Sequence, residues 1–167
     1  KLRRPDLQVV EFRGNLQTRL KKLEKQVAEA TFLAMAGLKR LKMDEVPRHA
    51  IEVDDMLPAV AQGAIGIERR INDMRMADML TAIHDHETGQ RLAAERAFLA
   101  ALDGSCETPI AGLSELQGST MRLRGEVLRP DGSDAIQDDM VVPIEDGAKA
   151  GQEMAAKLLE QAGEGFF

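Results

Sequence analysis

The stretch LDGSCETPIAG, residues 102–112, contains Cys106, the only cysteine among the 167 residues. A single cysteine cannot form a disulfide within its own chain, and most such residues are small buried hydrophobic groups. A thiolate, however, is a nucleophile that attacks electrophilic carbon. Because Cys106 directly follows a long helical pattern, a loop could present its sulfur to a cleft. Both the structural and the chemical role therefore remain open at this point.

The arginines of the first 42 residues form a second group that could do chemistry. This segment has 11 Lys and Arg against 4 Asp and Glu, a balance of +7, whereas the remainder has a balance of −13. A basic segment could bind nucleic acid, but the chain has no Tyr or Trp, and no Phe lies in a basic cluster to stack on bases. Arginines spread over different elements suit a small polyanionic ligand held by converging guanidinium groups. The alternative is a solvated positive surface.

Composition excludes several classes of protein. One cysteine and three histidines argue against a disulfide scaffold and a structural zinc site, and we expect no metal. The longest apolar runs are short and interrupted by charge, so we expect no membrane span. No signal peptide is visible, which makes the cytoplasm the default location. Since the chain starts at Lys1 without an obvious opening element, we expect it to be an internal piece of a longer polypeptide.

The elements that must position the arginines begin with a predicted βαβ unit. Residues 7–12 are rich in β-branched residues and predict a strand, and Asn15 is a candidate N-cap. Residues recur at helical spacing after it: Leu16, Leu20, Leu23 and Val27. Residues 30–36 are a continuous apolar run, which predicts a second, parallel strand. Arg13 and the turn at residues 37–40 would then lie at the carboxyl ends of strands, where open α/β sheets bind ligands.

The middle of the chain predicts short elements joined by a punctuated link. Strand-like runs occur at residues 50–53 and 64–68, and the segment LPAVAQG between them contains Pro and Gly. Residues 74–83 predict a short helix. A change of domain is expected within this region.

The last part of the chain predicts a compact α+β domain. A helix over residues 88–102, with Gly104 at its C-cap, precedes β segments at 110–116, 120–128 and 135–142. Apolar and charged residues alternate along the second of these segments, which is typical of an antiparallel sheet buried on one side. A closing helix has an apolar stripe at Gly151, Met154, Ala155, Leu158, Leu159 and Ala162. We therefore expect a partial α/β domain followed by a three-stranded antiparallel sheet with helices on one face.

Four segments together resemble porphobilinogen deaminase, also called hydroxymethylbilane synthase. They are RGNLQTRLKKL (residues 13–23), LAMAGLKRL (33–41), LPAVAQGAIGIE (57–68) and ERAFLAALDGSCETPI (95–110). Their order and spacing match this three-domain family over essentially the whole chain. The resemblance implies that residues 1–57 are part of the second, periplasmic-binding-protein-like α/β domain. Residues 58–83 would be the return segment to a missing first domain and the hinge, and residues 84–167 the C-terminal domain.

The resemblance also implies a chemistry for the cysteine. In this family the cysteine at the position of Cys106 carries a dipyrromethane cofactor through a thioether, and four porphobilinogen molecules are condensed head to tail with release of ammonia, in tetrapyrrole (haem) biosynthesis. The binding residues of the family fall on Arg13, Arg19, Arg40 and Gln62. The catalytic aspartate belongs to the missing domain, so the fragment is expected to be inactive and without cofactor.

The expected partners follow from the same resemblance. They are porphobilinogen and its linear oligomers, without nucleic acid or membrane, and the full-length parent is expected to be a monomer. The alternative is a non-enzymatic anion-binding or regulatory module of the same architecture. Two positions depart from the family pattern, which has glycine where Ala61 and Ser105 stand. Both replacements are small, but they reduce the backbone freedom of the two loops.

Overall fold

The computed structural model describes residues 1–104 and 108–166. The chain divides into two compact units. We call Asp6–Glu52 the arginine unit, and Lys1–Pro5 together with the chain from Val53 onward the sheet unit. The elements in chain order are α1 (Leu16–Glu24), α2 (Met35–Arg40), α3 (Met74–Thr81), α4 (His86–Ala101), β1 (Ile110–Gln117), β2 (Thr120–Leu128), β3 (Ala135–Pro143), a 3-10 turn (Ile144–Asp146) and α5 (Gly147–Ala162). No helix in the described ranges combines the length and apolar character needed to cross a membrane.

The arginine unit is built around α1 and α2. Asn15 caps α1 as predicted, since its side-chain oxygen accepts a hydrogen bond from the Thr18 N–H at 2.9 Å. Gly14 precedes it with φ +131°, a conformation that L side chains rarely adopt, and a Cβ there would lie 2.8 Å from Cγ2 of Thr18. Leu38 of α2 is buried, with 2% of its surface exposed. The start of α1 is therefore fixed both by its cap and by the lack of a side chain at Gly14.

The prediction of strands in the first half of the chain is wrong for this structure. Residues 7–12 and 30–34 form no strand, and the run that was predicted to end at Ala36 instead enters α2 at Met35. The predicted strands at residues 50–53 and 64–68 are also absent. A strand requires a hydrogen-bonded neighbour, and an isolated pair is marginally stable in water. Within the described ranges no such neighbour pairs with these segments, so they run irregularly with exposed apolar side chains such as Val9 and Phe32.

The sheet unit confirms the predicted antiparallel sheet. Its three strands lie in the order β1-β2-β3, and both neighbouring pairs are antiparallel. Gln117 pairs with Thr120 across a two-residue turn, where Gly118 has φ +62°. Three residues of β2 predicted to face the core are completely buried: Met121, Leu123 and Val127. Alternation with period two therefore located this sheet correctly.

Helices α4 and α5 cover the buried face of the sheet. The core joins Phe98 of α4, Met154 and Leu158 of α5 and the inner residues of the strands. The two helices approach closely at Gly151, where an added Cβ would lie 2.9 Å from the backbone nitrogen of Phe98. The predicted stripe of α5 is confirmed except at Leu159, which is 40% exposed. A glycine at the crossing thus allows the two helices to pack backbone against backbone.

The outer face of the sheet is not simply a solvated surface, contrary to the prediction of burial on one side only. Arg124 points to this face and yet is 8% exposed. Its guanidinium group hydrogen-bonds to Glu115 on β1 and to Asp54, which precedes the sheet by many residues. The chain near residue 54 therefore crosses this face and covers the central arginine.

Candidate functional site

Arg13 lies in the loop that leads into α1. Its side chain is 88% exposed, and its guanidinium group pairs with Glu11. Its own carbonyl oxygen accepts a hydrogen bond from Nζ of Lys22 at 2.8 Å. Helix α1 thus fixes the backbone of Arg13 while the guanidinium group faces solvent. Since exposed ion pairs contribute little to stability, a ligand carboxylate could replace Glu11 at small energetic cost.

Arg19, on the first turns of α1, directs part of its side chain to the protein backbone. Its Nε donates to the carbonyl oxygen of Gly14 at 2.9 Å, and its Nη1 donates to the carbonyl oxygen of Phe32 at 3.3 Å. Arginine has five N–H donors, so three remain for a ligand. The structure therefore gives Arg19 a role that the sequence did not predict, which is to hold the Gly14 loop against the segment that leads to α2.

Arg40 lies at the last residue of α2, and its side chain is exposed. It has no ion pair with any residue of the described ranges. Helix α2 is placed by buried Leu38 and by Gly37, where an added Cβ would lie 3.2 Å from Cδ1 of Leu16. The start of α1 and the body of α2 are therefore in contact. The arginine unit thus holds two exposed guanidinium groups, those of Arg13 and Arg40, on a scaffold that Arg19 braces.

Gln62 belongs to the sheet unit and lies in an exposed turn. Ala61 and Gly63 on either side of it have φ of +61° and +86°. The turn is attached at its base by a hydrogen bond from the Gly112 N–H to the carbonyl oxygen of Pro58, at 3.0 Å. It is attached at its centre by a bond from the Ala61 N–H to Glu95. A tightly fixed backbone thus presents the amide side chain of Gln62 to solvent.

Cys106 lies outside the described residues, together with Ser105 and Glu107. The chain on both sides of them is well anchored. The Gly104 N–H donates to the carbonyl oxygen of Leu99 at 3.1 Å, and an added Cβ at Gly104 would lie 2.5 Å from Cδ1 of Ile110. This contact, and not a positive φ, explains the glycine, since the left-handed residue after α4 is Asp103 with φ +51°. The two ends of the cysteine segment are therefore held by α4 and β1.

A groove in the sheet unit lies between residues 63–67 and the start of α4. Apolar residues dominate its lining, which also includes His84 and Asp85, and the described residues that line it include no lysine or arginine. A hydrogen bond from the backbone N–H of Thr88 lowers the pKa of the Asp85 carboxyl, so this group stays ionised. The ring of His84 lies edge-on to that of His86 with the centroids 4.9 Å apart. Because the lining has an ionised carboxylate and no lysine or arginine, this groove is unsuited to a carboxylate ligand.

Comparison with protein families identifies the chain. Residues 1–78 match the model "Porphobilinogen deaminase, dipyromethane cofactor binding domain", and residues 90–160 match the model "Porphobilinogen deaminase, C-terminal domain". The chain belongs to the porphobilinogen deaminase family. This confirms the resemblance found in the four sequence segments. It also confirms dipyrromethane as the cofactor of the family to which the chain belongs.

Individual relatives agree with the family assignment. The chain is 63% identical over 165 residues to the porphobilinogen deaminase of Paracoccus denitrificans, which is 99% of this chain and 53% of that protein. It is 48% identical over 169 residues to the chloroplastic porphobilinogen deaminase of Pisum sativum, 99% of this chain and 46% of that protein. For the Nitrobacter hamburgensis porphobilinogen deaminase the values are 46% over 164 residues, 98% and 52%. The chain thus spans about half the length of the curated relatives it matches.

Sequence reasoning missed two buried charged residues, of which Glu95 holds the turn of the candidate residue Gln62 and Arg124 holds the chain near residue 54 on the sheet. Glu95 is 6% exposed and bonds to the Gln62 turn, while Arg124 is 8% exposed and bonds to Asp54. The burial of Glu95 could have been predicted from its position in the sequence. It lies three residues before Phe98 and seven before Leu102, on the apolar stripe of a predicted amphipathic helix. A carboxylate on that stripe must be buried and must therefore find donors. The burial of Arg124 could not have been predicted in this way, because its partner Asp54 is distant in the sequence.

Proposed function

We propose that this chain is the C-terminal part of a porphobilinogen deaminase, a transferase that condenses four porphobilinogen molecules head to tail. Each addition releases one ammonia, and the linear product serves tetrapyrrole (haem) biosynthesis. The observation that carries the proposal is the position of the candidate residues within the matched domains. Cys106 falls within residues 90–160, which match the C-terminal domain. The other four fall within residues 1–78, which match the cofactor-binding domain: Arg13, Arg19, Arg40 and Gln62.

The chemistry of the ligand supports the roles of the arginines. Each pyrrole brings an acetate and a propionate side chain, so cofactor and substrate are rich in carboxylates. Arg13 and Arg40 offer exposed guanidinium groups, whose forked donors match carboxylates two hydrogen bonds at a time. Arg19 uses two donors on the backbone and has three left. The residues present therefore fit dipyrromethane, with Arg13 and Arg40 binding acidic side chains and Arg19 mainly holding the loop in place.

Cys106 is the residue that would hold dipyrromethane, through a thioether. When bound, this group supplies a covalently anchored primer to which pyrrole units are added. Cys106 follows the C-terminal end of α4, where the helix dipole has its negative pole and does not favour a thiolate. The thiolate that forms the thioether therefore needs cations from the assembled full-length protein.

The exposed apolar residues support the proposed division into domains. In this division residues 1–57 are part of an α/β domain of the periplasmic-binding-protein type, residues 58–83 return to a first domain outside this chain, and residues 84–167 form the C-terminal domain. Ile65 and Ile71, both in the proposed return segment, are each 85% exposed. Such surfaces on one continuous segment are expected where a further domain packs. The catalytic aspartate would belong to that domain, so the isolated chain is inactive and free of cofactor, whereas the parent is a cytoplasmic monomer.

Turnover measurements on two forms test this proposal. The full-length parent and the isolated 167-residue chain are each incubated with porphobilinogen, and ammonia and linear tetrapyrrole are quantified. We expect four ammonia molecules per tetrapyrrole from the parent and no turnover by the isolated chain. A parent that binds tetrapyrrole carboxylates tightly but never releases ammonia would instead support a non-enzymatic anion-binding module. Turnover by the isolated chain would contradict its proposed inactivity.

A further inference from the structure

Glu95 is a buried carboxylate on the inner side of α4, with 6% of its surface exposed. Its two oxygens have separate partners. Oε2 accepts a hydrogen bond from the backbone N–H of Ala61 at 2.8 Å, and Oε1 accepts one from the backbone N–H of Ser114 at 2.9 Å. Hydrogen bonds to an ionised acceptor are stronger than those between neutral groups. One side chain of α4 therefore ties a distant turn and strand β1 to the same helix.

The turn that Glu95 holds has a conformation that its own sequence does not favour. Ala61 has φ +61°, in the left-handed region that alanine rarely adopts. Such a backbone persists only when surrounding contacts determine it. The bond from Gly112 to Pro58 and the packing of Val60 on the core fix the base of the turn. Glu95 accepts from the N–H of Ala61 itself, immediately before Gln62, while the carbonyl oxygen of Ala61 accepts from the Ala64 N–H at 3.3 Å.

The same side chain is linked to the segment that contains Cys106. Helix α4, which carries Glu95, ends at Ala101 shortly before that segment, and β1, bonded through Ser114, begins shortly after it. Glu95 therefore bonds to both the turn that presents Gln62 and the strand that follows the cysteine. A shift of α4 relative to either element would stretch one of the two bonds.

We propose that Glu95 is a positioning residue, which sets the orientation of Gln62 relative to the framework of α4 and β1 that flanks Cys106. The inference rests on the proposed roles of Gln62 and Cys106. Glu95→Gln tests it because a glutamine side chain has only one acceptor oxygen. Its NH₂ group would face one of the two backbone N–H donors, so either the turn or β1 loses its bond. Glu95→Asp keeps both oxygens but shortens the side chain by one methylene.

A double-mutant cycle in the full-length parent separates positioning from general stability. Steady-state turnover of porphobilinogen is measured for the parent, Glu95→Gln, Gln62→Ala and the double variant. The matched control is Glu87→Gln on the same helix, whose side chain is 71% exposed. We expect Glu95→Gln to lower kcat/KM at least about tenfold in the parent, because small displacements of binding groups are costly. In the Gln62→Ala background the loss should fall below about twofold, since coupled residues are non-additive. Glu87→Gln should change little.

An equal loss from Glu95→Gln in both backgrounds, or no loss in the parent, would overturn the proposal. Should Glu95→Gln fail to fold, Glu95→Asp takes its place in the same cycle. Amide hydrogen exchange on the 167-residue chain provides a readout that does not depend on turnover. We expect the N–H of either Ala61 or Ser114 to exchange faster in Glu95→Gln than in Glu87→Gln, because one of the two loses its acceptor. Unchanged exchange of both would also overturn the proposal. A parent without turnover would contradict the proposed function, while the exchange measurement would still decide the role of Glu95.

Discussion

Nη1 of Arg124 lies 2.6 Å from Oδ1 of Asp54, although 70 residues separate the two in the sequence. Nη2 of the same guanidinium group donates to Glu115 at 2.9 Å. The Arg124 side chain is 10% exposed, whereas that of Asp54 is 82% exposed. The arginine is therefore desolvated beneath a segment whose own carboxylate remains in water. This asymmetry determines what each partner contributes to stability.

Arg124→Met should destabilise the chain by about 1–3 kcal/mol, since it removes a desolvated cation that holds two carboxylates. Asp54→Asn should lose less than about 1 kcal/mol, because solvent screens an exposed partner. Urea denaturation of both variants measures the difference. Arg122→Met, which breaks the more exposed pair with Asp139, is the control and should be milder than Arg124→Met. Equal losses for Arg124→Met and Asp54→Asn would contradict this account of the outer face.

Gly151→Ala should destabilise the sheet unit by about 1–3 kcal/mol through overpacking. The added Cβ would meet the backbone of α4 at Phe98, and backbone on a buried helix cannot move aside as the end of a flexible side chain can. Gln152→Ala, at an exposed position of the same helix, should change stability by less than about 0.5 kcal/mol. Chemical denaturation with far-ultraviolet circular dichroism compares the two. A neutral Gly151→Ala would show that α4 and α5 are not in close backbone contact.

Acid should lower the free energy of unfolding, in part through protonation of Asp139. A hydrogen bond from Arg122 holds the pKa of the Asp139 carboxyl below its ordinary value of 3.8. Because the folded-state pKa is depressed, this contribution is complete above the unfolded-state pKa and is lost as the pH falls through the folded-state pKa. The free energy of unfolding of Asp139→Asn should therefore lie below that of the parent chain at pH 6 and approach it below pH 3.8. A difference independent of pH would contradict the ion pair.

Substitutions of the three candidate arginines should affect kcat/KM and stability differently in the full-length parent. Arg13→Gln and Arg40→Gln remove exposed groups, so we expect kcat/KM to fall about tenfold or more and stability to change by less than about 0.5 kcal/mol. Arg19→Gln should lower both quantities, because the carbonyl oxygens of Gly14 and Phe32 lose their donors. Turnover and thermal unfolding are measured on the same preparations. Loss of stability in Arg40→Gln without loss of turnover would remove that residue from the binding site.

Local pattern located the sheet unit because its structure depends on neighbours in the sequence. Consecutive strands pair through short turns, and the buried residues Met121, Leu123 and Val127 follow simple alternation. The arginine unit was harder to predict, because strands there would depend on pairing partners that are distant in the sequence. Residues 7–12 and 30–34 have the composition of strands, but pairing partners decide whether such segments form a sheet. Composition alone cannot supply those partners.

The candidate site was predictable only in its residue types. The resemblance located Arg13, Arg19, Arg40 and Gln62, and the structure added how the first three are held. The resemblance could not reveal the contact between Glu95 and Ala61, because these residues are 34 positions apart in the sequence. Long-range bonds from a buried side chain to backbone amides leave no periodic trace in the sequence. Such hydrogen bonds can be identified only from the three-dimensional structure.

Intact mass spectrometry of the full-length parent tests the central claim most directly. The protein is purified under native conditions and then unfolded, and its intact mass is measured together with that of its Cys106→Ser variant. We predict a mass above that of the polypeptide by two porphobilinogen units, each less one ammonia, and no such increase in Cys106→Ser, which should also lack turnover. The same added mass on Cys106→Ser, or an active serine variant, would contradict the claim that Cys106 anchors the dipyrromethane cofactor.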